Sequence, residues 1–306
     1  MYSRRKSGRE RKMKNLFERT SSYWVKYDRY EYREKNNILY ITPADGAEPI
    51  VYDPLKDANS MVIDALNIGM LQMKRKDEHI IKNAVMDFVC NYGLLGFMTA
   101  LPTTPSFMDY EAVYLPKNHF IKSETMTTQD YLDIFYPFQK IDVRKKGIES
   151  AWNVYEDKKM LALMMTFADQ PQAMNMSFQR EYAERYDWIL LQFKDWAFTL
   201  ATSEMYYSND RLDEETKMIY KQAISAFGGI APTYHVSFYD KPTIVWDFHS
   251  LLLGIQLMFS MILTDDTTHL KLCKNCMSAF IANRGNVAFC CSECKDNYNV
   301  RKNRNK

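Results

Sequence analysis

Glycine and proline are scarce here, with ten of each in 306 residues. That excludes a collagen-like chain or a Pro/Gly-rich disordered one, and it leaves few stops between long elements. Catalytic signatures are missing as well. There is no G-x-S-x-G elbow, no G-x-x-x-x-G-K-[ST] phosphate loop, no G-x-G-x-x-G and no H-E-x-x-H. The five histidines, His79, His119, His235, His249 and His269, are scattered along the chain. We therefore read the sequence as non-enzymatic, with His249 as a core histidine and His269, four residues before Cys273, as a minor rival ligand. Long apolar runs are lacking too. The best one, 248–263, falls short of the roughly 20 residues needed to span a bilayer and contains His249, Ser250, Gln256 and Ser260. It reads as a core helix, and no membrane partner is expected. No apolar stretch follows Arg4, Arg5 and Lys6, so no signal peptide is expected.

Cysteine is nearly absent until the end. Cys273, Cys276, Cys290, Cys291 and Cys294 fall within 22 residues, whereas the other 284 hold only Cys90. A secreted disulfide scaffold spreads its cysteines, so this clustering points to metal in a reducing compartment, and we read the protein as cytoplasmic. Cys90, among Phe88, Val89 and Leu94, reads as an inert core residue.

What is present is bulky. Met 19, Tyr 21 and Phe 17 favour a helical, aromatic core, and 46% hydrophobic with 25% charged residues is ordinary globular composition. The near-neutral net charge of +2 hides a segregation. Residues 1–35 carry twelve Lys/Arg against five Asp/Glu, and residues 269–306 carry eight against two, which leaves the middle acidic. Basic ends on an acidic body suit an anionic partner, nucleic acid being the commonest.

The expected fold class is mainly α (α+β): a helical body with two small β-hairpins and a C-terminal four-cysteine zinc finger. Its parts are a flexible basic arm over 1–15, a body over 16–268, and a finger with a basic helix over 269–306. Residues 38–42 and 49–52 read as one hairpin about Ala44-Asp45-Gly46-Ala47, and 234–239 with 243–246 as the other. Helical periodicity begins near Asp57. Ile80, Ile81, Ala84, Val85, Phe88 and Val89 share a face there, and Pro102 and Pro105 close the segment. A short helix capped by Thr127 or Thr128 should run to Phe135. Further helices are expected over 147–169 and 213–227. The longest should cover about 177–207, with Phe178, Tyr182, Tyr186, Ile189, Phe193, Ala197, Leu200 and Ala201 along its buried stripe. Residues 247–263 should form the central helix, touching Tyr186, Ile189 and Phe193 through Leu252, Ile255, Met258, Phe259 and Ile262.

A Cys-x-x-Cys turn and a second close pair about a dozen residues later suit tetrahedral zinc held by four thiolates, a closed structural site. Cys273 and Cys276 form the first pair. In the second, either Cys290 or Cys291 pairs with Cys294, and spacing allows both. Beyond it, Lys295, Arg301, Lys302 and Arg304, with Lys306, lie on or after a helix that can face phosphates. Protein contact or self-association is the rival use of that end.

The stretch Cys273–Arg304 resembles the small zinc fingers that end the CGNR family of bacterial regulator-like proteins, which carry a helical N-terminal ABATE domain. The shared features are Cys273/Cys276, Phe280, the aromatic-Cys step Phe289-Cys290, Cys294 and the basic run to Arg304. The family's Cys-Gly-Asn-Arg is replaced by Cys294-Lys295-Asp296-Asn297. Asn91-Tyr92-Gly93-Leu94-Leu95-Gly96 is similar to a segment of other finger-ending bacterial proteins. The resemblance implies Cys290 as the third ligand, with Cys291 where a Ser is usual, and a regulator that contacts DNA. The alternative function is a non-catalytic interaction protein whose zinc finger is purely structural.

Overall fold

The structure is a computed structural model and describes residues 20–304, except 22, 105, 140–161, 163–171, 209–211, 226, 229–232, 239, 266 and 283. The basic arm over 1–15 and nearly all of the helix expected over 147–169 lie outside the described residues. Among the described residues, helix takes 49% and strand 20%, so helices dominate without displacing the sheets.

Five strands open the chain: β1 (Thr20–Ser21), β2 (Trp24–Tyr27), β3 (Tyr30–Lys35), β4 (Ile38–Pro43) and β5 (Pro49–Tyr52). The expected pairing of 38–42 with 49–52 does not occur. β4 pairs antiparallel with β3, and β5 pairs antiparallel with β2. Asn36 and Asn37 explain the difference: both have positive φ (52° and 59°), the backbone of a two-residue hairpin turn whose twist suits the strands. That turn lies one strand earlier than the Asp-Gly signal.

Three helices follow: α1 (Ala58–Met73), α2 (Glu78–Tyr92) and the single turn α3 (Phe97–Ala100). Asp77 caps α2 by accepting from the His79 N–H at 2.8 Å. α2 buries Ile81, Val85, Phe88 and Val89, but Ile80 is exposed, because the buried stripe is narrower than its apolar residues allow. The helical segment also breaks earlier than Pro102. Gly93 stops α2 at φ 86°, and a Cβ there would lie 2.8 Å from the Val25 carbonyl oxygen. The Asn91–Gly96 segment is therefore a tight crossing over β2.

Next come the small hairpin β6 (Ala112–Tyr114) and β7 (Thr125–Thr127), then α4 (Thr128–Phe135). Of the two caps the sequence offered, Thr127 is the one used, accepting from the Asp130 N–H at 3.0 Å. After α5 (Gln172–Met176) and β8 (Glu184–Arg185), the longest helix, α6, runs Tyr186–Ser208. It starts nine residues later than the expected 177. Phe178 and Tyr182 are buried as expected but lie before the helix, where Glu184 and Arg185 extend to pair with Ile41 and Tyr40 of β4.

α7 (Glu214–Ser225) packs on α6. β9 (Thr233–Phe238) and β10 (Pro242–Asp247) form the second expected hairpin, and β1 adds parallel to β10. α8 (Leu251–Thr264) is capped by Ser250, which accepts from the Leu253 N–H at 3.1 Å. Leu252, Ile255, Met258, Phe259 and Ile262 are buried as expected, but the central helix is α1, not α8. α1 packs on both α6 and α8, whereas α8 rests on α1, α3 and β11 (His269–Leu272) and leaves Met261 exposed. The physical reason is size. Gly69 lets α1 sit against α6, so α1 occupies the place between its two neighbours.

Candidate metal centre

Two strands and one helix build the centre. β11 pairs antiparallel with β12 (Ala279–Ala282), and the Cys273–Ser278 loop joins them. Within that loop the Met277 N–H donates to the Cys273 carbonyl (2.8 Å) and the Cys273 N–H to the Ser278 carbonyl (2.9 Å), closing a tight knuckle. Met277 takes a left-handed φ of 57° to make it. Lys274 donates its N–H to Ala288 at 3.0 Å and so ties the knuckle to the second cysteine segment. There Cys290 precedes α9 (Ser292–Arg304), and Cys294 lies in its first turn. Phe289 packs on Tyr298 with ring centroids 5.2 Å apart, which sets the direction of α9.

The sulfurs of Cys273, Cys276, Cys290 and Cys294 all lie within 4.8 Å of one another. Cys276 and Cys290 are 3.7 Å apart, and Cys290 and Cys294 3.6 Å. A tetrahedron with metal–sulfur bonds of about 2.3 Å has edges of about 3.8 Å, so the four thiols could hold one metal ion. Cys291 is not in this group, although its sulfur lies 3.9 Å from that of Cys290.

Burial opposes ionisation of Cys273, yet the backbone N–H groups of Cys276, Cys290 and Asn275 aimed at its sulfur outweigh it and bring the thiol down to about 6. The knuckle thus supplies donors where a thiolate ligand needs them. Burial pushes the Cys290 thiol up, and hydrogen bonds from Cys294, Cys273 and Cys276 add to that.

Residues far from the cluster also reach it. Lys74, just past α1, donates to the Cys276 carbonyl at 2.5 Å. Burial lowers its pKa, while Cys276 and Cys273 draw it up. Asn67 on α1 accepts the Ala279 N–H at 2.7 Å and donates to the Ala279 carbonyl at 3.2 Å, satisfying one edge of β12. Leu270, Leu272 and Ala279 belong to the same apolar core as α1 and α6. No local spacing announces Lys74 or Asn67, because each acts across more than 200 residues.

Lys295, Arg301, Lys302 and Arg304 are all exposed on α9, which has no buried residue. Lys306 lies outside the described residues. His269 is on β11 and outside the cysteine group. His249 precedes the cap of α8, bonds the Thr233 hydroxyl at 2.7 Å, and has its pKa lowered by burial. Cys90 is half-buried, and burial pushes its thiol up. Among the described residues, no helix is long and apolar enough to cross a membrane.

Compared with protein-family models, curated proteins and solved structures, the chain matches none.

Proposed function

We propose that the four cysteines hold a structural zinc ion and that the basic helix α9 contacts the phosphates of nucleic acid. One observation carries this reading: α9 leaves the cysteine cluster with no buried residue and holds Lys295, Arg301, Lys302 and Arg304 in solvent. A helix that buries nothing adds little to the fold, and the macrodipole does not demand so many cations in its last turn. Zinc suits four thiolates in a closed set, with no position left for water or substrate. The finger's resemblance to the CGNR proteins supports a regulator's role. The test is fluorescence anisotropy of a labelled DNA duplex and a single-stranded RNA with the zinc-loaded chain, from low to moderate salt. Salt-sensitive binding that a chelator abolishes is expected. No binding of either at low salt overturns the reading.

A second reading, an interaction protein with a structural zinc finger, is favoured by one feature. Tyr234, Val236 and Phe238 alternate along the outer strand β9, and Ile244 pairs with Val236 on the same exposed face. Such a patch suits a protein partner or a second copy.

A further inference from the structure

The body holds a cleft that the metal centre does not use. Its volume is about 370 Å³, and it lies between α3, the 118–120 loop, α6, Phe227–Gly228 and α8. That size is within the range of small-molecule sites, about 300–1,000 Å³. Phe97, Phe120, Trp196, Phe227 and Leu252 make apolar walls. Gln192, Asp195 and Trp196 enter from one face of α6, three and four residues apart.

Two amide side chains of this lining are committed within the fold. Asn118 is committed to Pro116, Phe120 and Ile121, and Gln256 to the Gly228 carbonyl. Trp196 is only 1% exposed, so it offers the cleft ring surface and its indole N–H does not open to it. Among the described residues, the half-buried Asp195 is the only carboxylate in the lining, and the lining contains no Lys or Arg. Burial raises its pKa, with His119 and Lys194 as the nearby charges that oppose this.

We infer that this cleft binds a small organic ammonium compound with an apolar body, its cation facing Asp195 and its body lying against the aromatic walls. A carboxylate at the mouth of an aromatic pocket selects a cation twice, through charge and through the ring faces. An anionic ligand would meet Asp195 with no Lys or Arg among the described lining residues to offset it. The inference stands apart from the proposed role of the metal centre and survives its failure.

The probes are tyramine, its neutral isostere tyrosol, and 3-(4-hydroxyphenyl)propanoate, each titrated calorimetrically into the zinc-loaded full chain. Tyramine should bind saturably, about tenfold or more tighter than tyrosol, a difference of roughly 1.4 kcal/mol. The propanoate should be weakest. Asp195→Asn should abolish the preference for tyramine while leaving tyrosol unchanged. Gln256→Phe, placed at the cleft wall away from Asp195, should block all binding, with circular dichroism showing that both variants fold. Equal binding of the three probes, a preference that survives Asp195→Asn, or no saturable binding by any probe overturns the inference.

Discussion

Gly69 of α1 lies directly against the backbone of Phe193 in α6: a Cβ on Gly69 would come within 2.1 Å of the Phe193 carbonyl oxygen and 2.7 Å of the Ala197 Cβ. Two helices can approach this closely only where one of them has no side chain. The contact matters because it presses the central helix onto the longest one, and Asn67 and Lys74, two residues before and five after Gly69, then meet the cysteine-bearing hairpin.

Gly69→Ala should therefore destabilise the whole body, not a surface turn. Backbone is the obstacle, so the helices must part, at a cost of about 1–3 kcal/mol or more. Urea denaturation measures it. A loss under about 0.5 kcal/mol, the range of harmless surface changes, would show that α1 and α6 are not held this closely.

Zinc should be lost from Cys273→Ser, Cys276→Ser, Cys290→Ser and Cys294→Ser, and retained by Cys291→Ser. Metal analysis of the purified variants decides it. Full occupancy in Cys290→Ser with loss in Cys291→Ser would exchange the two assignments. Metal removal should raise hydrogen exchange most in 284–304. β11 and β12 keep their anchors on Asn67 and the core, whereas the last helix buries nothing.

Glu184 gives a prediction with a sign. This fully buried carboxyl accepts from the N–H groups of Leu95 (2.8 Å), Gly96 (2.6 Å) and Phe97 (2.9 Å) and from the Tyr182 hydroxyl (2.8 Å). Burial raises its pKa above the ordinary 4.5, even though those four donors pull it down. The folded state thus holds a proton that the unfolded chain has already released. Its contribution to stability is complete below about pH 4.5 and is lost as pH rises through the raised value. Glu184→Gln cannot titrate, and its amide NH₂ faces donors, so it should lose about 1–3 kcal/mol. The loss should be largest at low pH and shrink as pH rises. Denaturation across pH 4–8 checks this, and a loss that grows with pH would reverse the direction.

The basic helix should act through phosphate. With about four to six contacts, log affinity should fall with log salt at a slope of about −0.9 per contact. Arg301→Ala, Lys302→Ala and Arg304→Ala combined should flatten that slope and weaken binding about equally on all sequences, because phosphate contacts position rather than specify. Anisotropy at several salt concentrations reads it. A triple variant with the parent's slope removes these residues from the interface.

The sequence by itself determined what depends on neighbours along the chain. The start of α4 at Thr127 or Thr128, the β9–β10 hairpin, the buried stripe of α6 from Tyr186 onward and the Cys273/Cys276 pair are set by spacings of two to four residues or by one turn. These patterns follow from helical and extended periodicity, so they are legible without a fold. Only the tertiary structure decided the rest. It paired β2 with β5 around the β3–β4 hairpin, extended Glu184 into the loop before α3, and made α1 the central helix. It also carried Lys74 to Cys276 and set Asp195 beside a cleft walled by Phe97, Phe120 and Phe227. Each of these joins residues distant in sequence, where the choice of partner depends on shape and burial in the assembled core. A periodic pattern shows that a face will be buried, but not what will bury it.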